Sequence, residues 1–95
     1  MKFKKAKYLN NNLAILMYED SGELYADVTV NLYDFLPEYY GYIHTNHLTR
    51  EDLDYIMDPK NGIINQVITY TRSGFVDYPL VEFNHEFVDG LSEDA

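Results

Sequence analysis

The chain has no cysteine, no tryptophan and, after its seventh residue, almost no positive charge. Without cysteine there is no disulfide and no thiolate metal site, which fits a reducing compartment. The longest apolar run, Leu13–Tyr18, is far too short for a membrane-spanning helix. The basic start, Met1–Lys7, lacks the apolar stretch of a signal peptide. No repeat, linker or low-complexity segment interrupts the 95 residues. These absences predict a cytoplasmic protein with one domain over residues 1–95, residues 86–95 forming an acidic tail prone to fraying. A chain of this size buries roughly 60–65% of its unfolded surface. That supports a thin core with little stability in reserve for a strained active site.

What the chain does have is sorted charge. Sixteen Asp and Glu face seven Lys and Arg, and four of those cations (Lys2, Lys4, Lys5, Lys7) lie in the first seven residues. From Tyr8 onward only Arg50, Lys60 and Arg72 oppose all sixteen acids, a net of −13. Ordinary solubility needs a net charge of roughly 2–8. A one-sign field attracts basic surfaces and repels nucleic acid and anionic lipid, so neither is expected as a direct partner. The ten tyrosines suit thin sheets and binding surfaces, because the ring packs while the hydroxyl stays wet.

Hydrophobic periodicity predicts an α+β fold: a mainly antiparallel sheet of five to six short strands with one helix, about 49–58, on one face. Phe3–Tyr8 reads as an edge strand guarded by lysines. Leu13–Glu19 puts Leu13, Ile15 and Met17 on one face. Asp20-Ser21-Gly22-Glu23 turns the chain, and Leu24–Asn31 alternates, with Leu24, Ala26, Val28 and Val30 inward. Gly41–Thr45 reads as a short strand. Thr49 caps a helix whose buried stripe is Leu53, Ile56 and Met57. Ile63–Thr71 is β-branched and reads as a strand, although Ile63, Ile64, Val67 and Ile68 also suit a helix, and Asp77–Phe83 is a last strand in which Pro79 marks an edge or a bulge. Tyr33, Phe35, Tyr39, Tyr40 and Tyr42 form a dense aromatic segment, which either covers an open sheet face or, if exposed, anchors a protein partner.

Few residues support catalysis. Ser21, Ser73 and Ser92 lie in turn or tail contexts, without a Gly-x-Ser-x-Gly elbow. His44 and His47 are spaced for a strand end rather than a shared metal, and His85 is distant. Asp58-Pro59-Lys60-Asn61-Gly62 lacks the alternating acids and closing glutamate of a calcium loop. The turn Arg72-Ser73-Gly74 can grip a phosphate, but such turns are common. Neither a metal nor a cofactor is expected, and the reading is non-enzymatic. The acidic surface is the strongest signal, since outward residues on a strand stand roughly 6.6 Å apart and can imitate a row of phosphates. Asp20, Glu23, Asp27, Glu51, Asp52, Asp54 and Asp58, with Tyr25 and Tyr55, are the expected partner-binding residues.

Several stretches point to a family. Asn10-Asn11-Asn12-Leu13-Ala14-Ile15, Glu19-Asp20, Thr29-Val30-Asn31-Leu32, Thr45-Asn46, Ser73-Gly74-Phe75 and Tyr78-Pro79-Leu80 cover most of residues 8–84. In order and spacing they resemble an uncharacterised family of small proteins from Gram-positive phages and mobile genetic elements. His47-Leu48-Thr49 departs from that pattern, which has Cys-Pro-Trp there. The resemblance brings no catalytic residues. It implies a small accessory protein, of a kind that often inhibits host defence. Together the two lines predict an acidic inhibitor of the anti-CRISPR or anti-restriction kind, a DNA mimic in the channel of a CRISPR effector nuclease or restriction enzyme. The alternatives are a protein that sequesters a nucleotide signal, with Arg50, Lys60 and Arg72 as its cations, and an accessory subunit whose acids only solvate. A homodimer joining the N-terminal lysines to a second copy's acidic face is a further expectation.

Overall fold

A computed structural model describes residues 1–32 and 34–94 of the chain. Strands β1 (Lys2–Lys7), β2 (Leu13–Tyr18), β3 (Leu24–Asp27) and β8 (Ser92–Glu93) form one sheet in the order β3-β2-β1-β8. Strands β4 (Thr29–Val30), β5 (Tyr40–Ile43), β6 (Ile64–Ser73) and β7 (Val76–Phe83) form a second in the order β4-β5-β7-β6. Helix α1 (Arg50–Met57), a 3₁₀ turn at Pro59–Asn61 and a short helix α2 (His85–Asp89) complete the described residues. The protein is mainly β-sheet, with one helix of more than a single turn or so. The described strands number eight rather than five to six, and they divide between two sheets.

The division happens at Val28. Its N–H donates to Ile15 O at 2.9 Å, in the first sheet, while its carbonyl accepts from His44 N–H at 2.9 Å, beside the second. The alternating run expected over Leu24–Asn31 is therefore two strands, and its inside-outside phase slips. Thr29, expected outward, is 2% exposed, and Leu24, expected inward, is 53% exposed. Thr29 is tolerated inside because its hydroxyl is fully used. It accepts from Ile15 N–H at 3.1 Å and shares a 2.8 Å bond with the Tyr8 hydroxyl. Thr29→Val keeps the shape but orphans a buried N–H. It is expected to lower unfolding stability by about 1–3 kcal/mol, read as a shifted urea midpoint.

The two sheets share one core. Ile15, Met17 and Ala26 come from the first sheet, Ile43, Ile64, Val81 and Phe83 from the second, Ile56 from α1 and Val88 from α2. Leu13 packs against this core half-buried, as do Leu53 and Met57 of the helix stripe. Helix α1 starts where Thr49 Oγ1 accepts from Asp52 N–H at 3.1 Å, with Glu51 and Asp52 in the first turn. It stops at Asp58, where Pro59 follows and the Asp58 carboxylate caps the 3₁₀ turn through Lys60 N–H.

Pro79 lies in an interior strand, not an edge strand. Its last neighbour towards β5 is Leu80, paired with Tyr42, so at Pro79 only β6 flanks the strand. Beside it, between Val67 and Thr69, the β6 register shifts. A missing N–H is harmless there. The segment expected as a tail folds back over its described residues. Asn84 Oδ1 caps α2 at Phe87 N–H, and Ser92 and Glu93 pair parallel with Lys4 and Lys5. Phe87 meets Phe3 edge-on at 5.5 Å, which gives these residues an apolar anchor. Tyr33 of the aromatic segment and Ala95 of the tail lie outside the described residues. No helix among the described residues is long and apolar enough to cross a membrane.

Candidate functional site

The β2–β3 hairpin tip and the start of α1 meet at one end of the molecule. Gly22, at φ 94°, lets the tip turn, and Glu19 N–H donates to Glu23 O at 2.8 Å. Tyr25 reaches from β3 to the helix and donates its hydroxyl to Asp52 Oδ2 at 2.9 Å. Glu19 lies close enough to Tyr25 for its charge to raise the phenol pKa, after the larger effects of the Asp52 bond and desolvation. Around Tyr25 this end brings Glu19 and Asp52 together, with Glu23 bonded to Glu19 across the hairpin tip and Glu51 next to Asp52 in the first turn of α1.

The other expected residues are more scattered. Asp20 lies 3.3 Å from the Met1 amino group, and Asp54 pairs with Arg50 at 3.1 Å. Asp58 is spent on its cap. Tyr55 is exposed, with its carbonyl holding Asn61 Nδ2 at 2.8 Å. Asp27 belongs to the outer face of the first sheet, where it acts on Tyr8 and Tyr18. Lys4 crosses that face with its ammonium 4.6 Å from the Tyr18 ring centre, so the field there is mixed.

Four tyrosine hydroxyls hold four aspartates. Tyr18 donates to Asp94, Tyr25 to Asp52, Tyr39 to Asp89 and Tyr42 to Asp34. These carboxylates are fixed in place by neutral donors, which bring no opposing charge. Only Asp20, Asp54, Asp77 and Glu82 among the described acids lie within ion-pair distance of an amino, guanidinium or imidazole group. The abundance of tyrosine thus serves the abundance of aspartate, a link invisible in sequence because the partners stand up to 76 residues apart.

These bonds have a titration signature. The Asp89 bond, then desolvation, pushes Tyr39 from 10.0 up to about 12. Asp94 and Asp52 raise Tyr18 and Tyr25 in the same way, and burial is the first cause for Tyr8 and Tyr42. A phenol with a raised folded pKa stabilises fully below its unfolded value and loses that contribution as pH climbs through the folded one. Stability is therefore expected to fall between pH 10.0 and about 12. Part of the phenolate absorbance should appear above the ordinary tyrosine value of 10.0, and Tyr39→Phe should remove the component at about pH 12.

A cleft of about 470 Å³ opens between β1, the Asn11–Asn12 turn, the Leu36–Tyr39 loop and α2. Lys5 and Lys7 line it, with Glu38, Asp89 and Glu93 on the same walls. Asn12 ties its rim. Its Nδ2 donates to Asp34 O at 2.6 Å and to Asn31 Oδ1, and its Oδ1 accepts from Leu36 N–H at 3.0 Å. Tyr39 stands at φ 70°, a conformation costly for a bulky side chain. Stacking on His85 at 3.9 Å, the Asp89 bond and Phe83 N–H on its carbonyl hold it there. From sequence the lysines read as edge protection or as a patch for a second copy's acidic face, and the cleft is not foreseen. Its one local signal was the Asn10–Asn12 cluster.

His44 and His47 stack edge-on at 4.9 Å, and Tyr78 completes the aromatic group. No set of three metal-ligating side chains converges among the described residues. Arg72 sits 3.8 Å from Asp77 and Lys60 lies on the 3₁₀ turn. Those cations do not line the cleft.

A family model described as a domain of unknown function (DUF4313) matches residues 2–94. Among curated proteins and among solved structures, none matches the chain.

Proposed function

The chain belongs to this DUF4313 family, and from its geometry we propose a non-enzymatic binding protein whose acidic surface occupies a basic, nucleic-acid-binding site on another protein. The partner is a CRISPR effector nuclease or a restriction enzyme. The protein is a small accessory product of a phage or mobile element acting in a bacterial host cell. The observation that supports this reading is the acidic end: Glu19 and Asp52 at Tyr25, with Glu23 and Glu51 beside them in the hairpin and the helix, and no cation within ion-pair distance of any of the four among the described residues. Carboxylates held by tyrosine hydroxyls are pre-organised to meet Arg and Lys, while the exposed Tyr25 and Tyr55 supply aromatic anchors.

The test is binding to a guide-loaded CRISPR nuclease and to a restriction enzyme across a salt series. Affinity is expected to fall at least about tenfold between 0.05 and 0.5 M salt and to be lost when nucleic acid fills the channel. Binding indifferent to salt, or binding alongside the nucleic acid, sinks the proposal.

The second reading, a nucleotide-binding protein, is favoured by Lys5 and Lys7 converging on the cleft. The carboxylates on the same walls oppose a multiply charged anion, which is why it ranks second. A thermal-shift series with cyclic nucleotides decides it, because ligand at a hundredfold excess over Kd stabilises by about 2.7 kcal/mol. On the leading reading the midpoint stays put.

A further inference from the structure

The second sheet ends in an open edge. Strand β6 is outermost in the order β4-β5-β7-β6 and most of its residues are exposed. From Pro59 to Val76 the chain carries no acid, only Lys60 and Arg72. It is as long an acid-free stretch as Met1–Tyr18, and unlike that stretch it forms a sheet edge without a neighbour among the described residues. An acid-free, β-branched edge is a template for another strand.

The register says which backbone groups are open. Ser73 pairs with Val76 around the two-residue loop Gly74-Phe75, with Gly74 at φ 64°. Such a loop closes on a hydrogen-bonded pair. Alternation then makes Arg72–Asp77 and Tyr70–Pro79 non-bonded pairs towards β7, and turns the N–H and C=O of Tyr70 and Arg72 outward. Pro79, with no N–H to give, fits that pattern.

We propose that two copies of this chain associate about a two-fold axis by antiparallel pairing of Thr69–Ser73 with its counterpart, Thr71 facing Thr71. This centre matches donors to acceptors, because the outward groups of Tyr70 meet those of Arg72 in the second copy, twice. It also makes the side chains self-complementary. Tyr70, 63% exposed, lies beside the guanidinium of the second copy's Arg72, a cation–π contact made twice. Phe75, 97% exposed at the hairpin tip, comes opposite Val67 of the second copy. For an acidic molecule this strip is where two bodies approach without setting carboxylate against carboxylate. A ladder this short gives a weak, concentration-dependent dimer.

The test is sedimentation equilibrium from about 10 µM to about 1 mM, the weak end of specific association. The wild-type mass is expected to rise from 11.2 kDa towards twice that value. Tyr70→Lys sets an ammonium against Arg72 of the second copy and should weaken association at least tenfold. Tyr70→Glu should keep or strengthen it, although it adds a charge that ordinary repulsion would penalise. Arg72→Pro should give a monomer with unchanged circular dichroism, because the lost N–H served no bond to β7. A wild-type chain that stays at 11.2 kDa throughout overturns the proposal. So does a dimer indifferent to Tyr70→Lys, or one that Lys strengthens and Glu weakens.

Discussion

Replacing Phe83 with alanine is expected to lower unfolding stability by about 3–5 kcal/mol, a large share of the roughly 5–15 kcal/mol that holds a domain together. Phe83 is fully buried where both sheets and the helices meet, and it is the largest side chain so enclosed among the described residues. Its ring lies over Gly41 of β5. A methyl group there would stand 2.9 Å from Phe83 Cε2 and 3.3 Å from Thr29 Cγ2. Gly41→Ala alone should therefore cost about 1–3 kcal/mol by overpacking. In the Phe83→Ala background the same methyl enters the space the ring has left and should cost far less. The coupling is expected to exceed about 0.5 kcal/mol, measured by urea denaturation of the four proteins in the cycle. Strict additivity would contradict the contact.

The larger effect concerns binding. Glu19→Gln, Glu51→Gln and Asp52→Asn together remove three carboxylates from the acidic end and keep the shapes of the side chains. At low salt each charge facing a partner cation is expected to contribute about tenfold in affinity, so the triple variant should bind a basic channel about a thousandfold more weakly. Asp54→Asn is the internal control, since Arg50 already accompanies Asp54 at 3.1 Å. Its effect should be well under that of Asp52→Asn. No loss in the triple variant would show that the acids serve solvation alone, and equal losses at the two positions would show that binding is not focused on the unpaired acids of this end. Competition titrations against labelled nucleic acid on the nuclease give both numbers.

How much of this was legible in sequence follows from the range of the interactions. The β2–β3 hairpin and α1 announce themselves locally. Gly22 supplies the positive φ and Thr49 the cap, each within a few residues of what it controls. The switch at Val28 does not, because a clean alternation looks the same whether its two halves serve one sheet or two. What breaks it is a pair of hydrogen bonds to Ile15 and His44, far along the chain. The segment after Asn84 read as a tail because its acids are conspicuous, while Phe87, Val88 and Leu91, which dock it, are spaced too sparsely to register as a pattern. At the acidic end, composition gave the sign of the field. Only the fold brings Tyr25 to Asp52 and separates Asp27 and Asp58 from them. The cleft was out of reach for the same reason, since its walls come from five separate stretches between Lys5 and Glu93.

The ladder between β1 and β8 joins Lys4 and Lys5 to Ser92 and Glu93, nearly the full length of the chain apart. Closing so long a loop is entropically the most demanding step in assembly, and two paired residues return little for it. This seam should be among the last to zip during folding and the first to breathe in the native state, ahead of any opening of the core. Glu93 belongs both to the seam and to the wall of the cleft. A fluctuation that unfastens the seam is therefore expected to widen the entrance beside Lys5.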